Sequence, residues 1–137
     1  MKQLIAAITA VLFTLGLVAV SSPSAEAVVY PKSIATSCTA YSTKTPVKVG
    51  TAPKMGFRAK ALTGNAQPKG QVRVRVFTWG SEKLVATAYR TYKGGLATFT
   101  LPKLKAGKYK IRAVLMTPAS SVFKNCYDVY FQRVVRR

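Results

Sequence analysis

Residues 71–78 read Gln-Val-Arg-Val-Arg-Val-Phe-Thr, with three valines and two arginines in strict alternation. Successive side chains of an extended strand point to opposite faces, so this order sends Val72, Val74 and Val76 to an apolar interior and Arg73 and Arg75 to water. A helix of 3.6 residues per turn would scatter the same arginines around its circumference. The two-residue period recurs over Gly56 to Leu62, where Phe57, Ala59 and Ala61 oppose Arg58 and Lys60. It recurs over Leu96 to Leu101, where Ala97, Phe99 and Leu101 oppose Thr98 and Thr100, and over Lys108 to Met116, where Tyr109, Ile111, Ala113 and Leu115 oppose Lys108, Lys110 and Arg112. No run after the N-terminal segment sustains a helical period, so the chain is read as all-β.

Three further strands complete the set. Pro46 to Gly50 is a first edge segment, Lys83 to Arg90 a strand whose inward phase stays open, and Asn125 to Val135 the last strand. In that last strand the apolar residues Tyr127, Val129 and Phe131 are expected inward, with Cys126, Asp128 and Tyr130 opposite. Gly64-Asn65, Gly94-Gly95 and the stretch from Pro102 to Gly107 supply turns. Short strands with one polar face each require two packed sheets, since a single sheet would leave its apolar face in water. A seven-stranded β-sandwich is expected, with a barrel of similar size as its competitor. The organisation is read as 1–27 signal peptide, 28–42 irregular lead-in and 43–137 sandwich.

Lys2, the apolar stretch Leu4 to Val20 and Ala25-Glu26-Ala27 have the charged, hydrophobic and small-x-small parts of a secretory signal. A retained membrane anchor is the competing reading, because the apolar stretch lies near the lower limit of roughly 17–25 residues for a bilayer span. Export makes a disulfide between Cys38 and Cys126 the expected state of the two cysteines, against free or intermolecular thiols. Such a bridge closes a loop of about 90 residues, for which chain entropy gives roughly 4 to 5 kcal/mol. The misfit is phase: with Val129 and Phe131 inward, Cys126 points the other way, which would put the bridge on a rim or at a strand start.

The chain carries 22 basic and 3 acidic residues, no histidine, and a formal net charge of +19. Loss of residues 1–27 removes one lysine and one glutamate and leaves that charge unchanged, with Glu82 and Asp128 as the remaining side-chain acids. Histidine-dependent nucleophilic, acid–base and zinc chemistry is thereby excluded. Glu82 and Asp128 would serve as an acid–base pair only if the fold brought them together, and no spaced motif marks a serine–lysine dyad. The chain is read as non-enzymatic, without cofactor or metal.

Three ordered motifs carry a family resemblance: Pro68-Lys69-Gly70-Gln71-Val72, Lys93-Gly94-Gly95-Leu96-Ala97-Thr98-Phe99-Thr100-Leu101, and Leu104-Lys105-Ala106-Gly107-Lys108-Tyr109-Lys110-Ile111. Over roughly Tyr41 to Val135 the chain resembles the bacterial immunoglobulin-like domains repeated in extracellular and surface proteins. The resemblance implies a seven-stranded sandwich that serves as a spacer or adhesion module without catalytic residues, with Tyr109 as the inward aromatic near the start of the sixth strand. Where that family often has an acidic turn, residues 117–123 read Thr-Pro-Ala-Ser-Ser-Val-Phe, which offers calcium no carboxylates.

In such a sandwich the strands 71–78 and 108–116 are neighbours, which brings Arg73 and Arg75 beside Lys108, Lys110 and Arg112 on one solvent face. Adjacent like charges oppose folding, so this face is expected to take clustered anions. For an exported protein the expected partner is an anionic envelope polymer or glycan, with charge alone able to retain the protein at the cell surface. Peripheral contact with an anionic membrane and non-specific nucleic-acid binding share the same electrostatics. Two competing readings are a solvated basic surface with no ligand, since lysines lie almost everywhere, and a structural or adhesion domain that contacts protein partners. Trp79, beside Gly80, either packs at the core or rim or stands exposed at a ligand; Tyr89, Tyr92, Tyr127 and Tyr130 are read as structural.

Overall fold

The structure, a computed structural model, describes residues 32–136; the signal-peptide reading lies outside the described residues. Eight strands follow in order: β1 Thr36–Ser42, β2 Val47–Lys48, β3 Lys54–Ala61, β4 Gly70–Thr78, β5 Leu84–Tyr92, β6 Leu96–Thr100, β7 Gly107–Met116 and β8 Cys126–Val135. They form two separate sheets, β1-β3-β6 and β2-β8-β7-β4-β5. This is an immunoglobulin-like β-sandwich and not a barrel.

All seven strands expected from the sequence are present, and β1 is the eighth. It occupies what was expected to be irregular lead-in and pairs antiparallel with β3 from Thr36↔Ala61 to Ser42↔Met55. Its side chains are mostly polar and only Ala40 is fully buried, so it carries no hydrophobic alternation to betray it. The 46–50 segment contracts to the two-residue β2, which runs parallel to the end of β8.

The phases inferred for β3, β4, β6 and β7 hold. Phe57 and Ala59, Val72, Val74 and Val76, Phe99 and Leu101, and Tyr109, Ile111, Ala113 and Leu115 all enter one core between the sheets. β5, whose phase was open, turns Ala88 and Tyr92 inward. Tyr92 stacks edge-on to Phe57 at 5.2 Å, accepts the Ala59 N–H at 2.9 Å and donates to the Gly95 carbonyl at 2.5 Å. That last bond ties the core to the β5–β6 turn, where Gly94 and Gly95 have φ of 99° and 73°, a region costly for any other residue. Tyr109 is buried as the resemblance implied, and its hydroxyl donates to the Lys105 carbonyl at 2.9 Å.

β8 reverses the expected phase. Cys126, Tyr130, Gln132 and Val134 are buried, whereas Tyr127 and Phe131 are exposed. The reason lies in the seam between the sheets, where β1 lies against β8. Cys38 and Cys126 form the disulfide there, with Cα atoms 5.5 Å apart. Asp128 accepts the Ala40 N–H at 2.8 Å, and the Ser42 hydroxyl donates to Gln132 Oε1 at 2.6 Å. Polar residues on the inward phase thus satisfy donors of β1 that no third strand can reach, and the bridge joins the core instead of the rim.

Candidate anion-binding face

The outer face of the five-stranded sheet is fixed by its register. Across β4 and β7, Arg75 lies directly opposite Arg112, Arg73 opposite Val114, and Phe77 opposite Lys110. Across β7 and β8, Lys108 lies opposite Arg133, Lys110 opposite Phe131, Arg112 opposite Val129, and Val114 opposite Tyr127. Cross-strand partners in a sheet point to the same side, and the residues alternating with these are the buried core. Arg73, Arg75, Lys108, Lys110 and Arg112 therefore share one surface, with Tyr89 of β5 beside Arg73.

These five cations are not equivalent. Lys110 is bound to Glu82 at 2.9 Å, so much of its charge is already answered. Among the described residues that is the one ion pair, which leaves Arg73, Arg75, Lys108 and Arg112 without a carboxylate. Arg112 lies over the Tyr127 ring at 4.5 Å, a cation–π contact that holds its guanidinium close to the sheet. The Nε of Arg73 is buried against the sheet with no hydrogen-bond partner among the described residues. Asp128 points into the β1–β8 seam while Glu82 engages the outer face, so the two acids do not form the pair that carboxylate catalysis would require.

Several residues of this face escaped the sequence reading. Arg133 sits across from Lys108 and was missed because β8 was read in the opposite phase. The same error hid Tyr127 and Phe131, which are 60% and 55% exposed. Trp79 is 55% exposed and meets Phe131 edge to face, with ring centroids 4.5 Å apart and planes at 90°. Its position is set by a tight turn. The Trp79 N–H donates to the Lys108 carbonyl at 3.0 Å, Thr78 N–H to Lys83 at 2.9 Å and Glu82 N–H to Thr78 at 3.1 Å. Gly80 and Glu82 take left-handed φ of 87° and 52° to close the turn. Beside these rings lies a pocket of about 370 Å³ lined by Thr45, Trp79, Lys108, Tyr109, Phe131, Gln132 and Arg133.

The described residues contain no cluster of three or more His, Cys, Asp or Glu able to hold a metal, and no helix long and apolar enough to cross a membrane. What the face offers is fixed positive charge interleaved with exposed aromatic surface. No family model and no curated protein matches the chain. Among solved structures, the chain is similar to the CARDB domain of the PF1109 protein from Pyrococcus furiosus, determined in complex with di-metal ions. The two share 16% identity at a TM-score of 0.49 over 77% of this chain and 97% of that domain.

Proposed function

We propose that this chain is an exported, non-enzymatic immunoglobulin-like module of the bacterial extracellular type, which binds an anionic polymer or glycan of the cell envelope on the outer face of β4, β7 and β8. The supporting observation is the direct cross-strand pairing of Arg75 with Arg112, flanked by Arg73, Lys108 and Arg133, with one acid, Glu82, engaged at the margin. Like charges placed directly opposite destabilise a sheet, and a polyanion laid along them converts the repulsion into several charge-assisted hydrogen bonds. Arginine suits that task, because its planar fork meets carboxylate or phosphate through two parallel bonds. The charge would also hold the exported protein at the cell surface.

The test is a pull-down of purified envelope polymers, DNA and anionic vesicles across a salt series. It compares wild type with a variant carrying glutamine at Arg73, Arg75, Lys108, Lys110 and Arg112. The expected result is salt-sensitive capture of envelope polymer that the folded variant loses. Unchanged capture by the variant refutes the face as the site, and tight, salt-insensitive capture of protein partners instead assigns the module to adhesion.

A further inference from the structure

The pocket at the Trp79–Phe131 corner adds a kind of recognition that charge alone does not supply. Resting on the polyanion reading above, we infer that this pocket receives one ring of an acidic sugar, and that the envelope polymer is an acidic polysaccharide instead of a ringless polyphosphate. The two aromatic planes meet at 90° and are both more than half exposed. A flat nucleobase can stack on one ring of such a corner at a time. A puckered sugar ring presents C–H groups on its face and along its rim, so it can lie against the indole and the phenyl together.

The polar groups around the corner complete the match. Arg133 and Lys108 are cross-strand partners at its margin and have no carboxylate partner among the described residues. The arginine fork can take a sugar carboxylate through two bonds and the lysine can add a point charge. Thr45 contributes a hydroxyl that both donates and accepts, as sugar hydroxyls require. At about 370 Å³ the cavity falls at the small end of ligand pockets, in keeping with one or two rings and not a whole chain. Its geometry is set in advance, because the Trp79 turn is clipped to β7 through the Lys108 carbonyl, so little ordering entropy remains to oppose binding. Among the described residues the other aromatics of this face do not form a row of stacking platforms for single-stranded nucleic acid: Lys110 separates Phe77 from Phe131, Tyr89 lies away on β5 beside Arg73, and Tyr127 has Arg112 over its face.

Trp79 is the single tryptophan in the sequence, so its emission reports on this corner alone. The oxidised protein is titrated with oligogalacturonate, inorganic polyphosphate of matched charge, oligo(dT) and phosphatidylglycerol vesicles, with affinities from calorimetry. Oligogalacturonate is expected to shift Trp79 emission. Phe131→Ala and Trp79→Ala are each expected to weaken its binding about tenfold, or about 1.4 kcal/mol, while leaving polyphosphate within about twofold and the urea midpoint near wild type. Polyphosphate binding without oligogalacturonate binding overturns the sugar inference and leaves the polyanion reading standing. So does an equal loss for both anions in the variants, or a larger emission response to oligo(dT) or vesicles. Failure of wild type to bind any of the anions overturns both.

Discussion

Arg75 and Arg112 face each other across β4 and β7 with no acid between them, and that pair makes a prediction of opposite sign for stability and for binding. Directly opposed residues have Cβ atoms about 5 Å apart. Two unit charges at roughly 6 Å in high dielectric repel by about 0.7 kcal/mol. Salt at 0.15 M, with a Debye length of about 8 Å, cuts that to about 0.3 kcal/mol, while 20 mM salt leaves most of it and 1 M salt almost none. Arg75→Met keeps the unbranched stem that packs on this half-buried strand and removes the charge. In 20 mM NaCl it should therefore stabilise the free protein by about 0.5 kcal/mol. With a urea slope of about 1–3 kcal/mol/M for a small domain, that raises the midpoint by about 0.2–0.5 M. The gain should vanish at 1 M NaCl. The same substitution should weaken capture of the acidic polymer about tenfold at low salt, since a hydrogen bond to a charged group contributes about 1.5–3 kcal/mol. A lower urea midpoint at 20 mM salt, or a gain that persists at 1 M, would show that the two arginines do not strain the sheet. Unchanged affinity would show that relief of such strain is not what draws the anion.

Three other perturbations test separate parts of the fold and face. Glu82→Gln releases Lys110 from its 2.9 Å ion pair, so polyanion affinity should rise, with a steeper dependence on salt in the same titration. Replacing both cysteines with serine opens a loop of 88 residues between β1 and β8. Chain entropy puts the loss at about 4–5 kcal/mol, read as a fall in urea midpoint that added reductant reproduces in wild type and leaves unchanged in the variant. Tyr130 is buried with its hydroxyl unpartnered among the described residues, and desolvation pushes its phenol well above the usual value near 10. The unfolded chain loses that proton first. The stability carried by the neutral phenol is therefore whole below pH 10 and falls by up to about 1.4 kcal/mol for each pH unit above it. Tyr130→Phe should leave stability at pH 7 equal or higher and flatten the decline between pH 10 and 11, measured as the difference between the two proteins. Parallel decline would refute the burial of a neutral phenol.

Where a strand buries one face and wets the other, its sequence is sufficient to orient it. Val72, Val74 and Val76 in β4 and Tyr109, Ile111, Ala113 and Leu115 in β7 are read correctly because nothing competes with burial there. Neighbourhood of β4 and β7 followed from the sandwich, and with it the grouping of Arg73, Arg75, Lys108, Lys110 and Arg112. β1 was illegible for a different reason. It is an edge strand held by the Cys38 bridge and by a bond from its backbone to Asp128, and long-range bonds of that kind leave no periodic trace in the strand that makes them. The Glu82–Lys110 pair was equally hidden, since it depends on a turn with a left-handed Glu82 that local propensity would not choose.

The inverted reading of β8 is the most instructive of these failures, because burial and pairing ask for opposite residues on its two faces. Facing β1, the strand must answer backbone and hydroxyl donors, so Asp128 and Gln132 go inward. Tyr127, Val129 and Phe131 are then turned out beside Arg112, Lys110 and Arg133, since the period of two permits no third choice. An apolar surface left in water costs hydration free energy, and cations packed beside it lose part of their solvent shell. Both penalties fall when a ligand with a hydrophobic ring and an anionic group covers them together. A purely solvated basic surface would be better served by threonine or lysine at positions 127 and 131. Replacing both residues with threonine should therefore improve the solubility of the free protein while lowering its affinity for acidic polysaccharide, with the arginines untouched. If affinity survives that exchange, the aromatic half of the face is incidental to recognition.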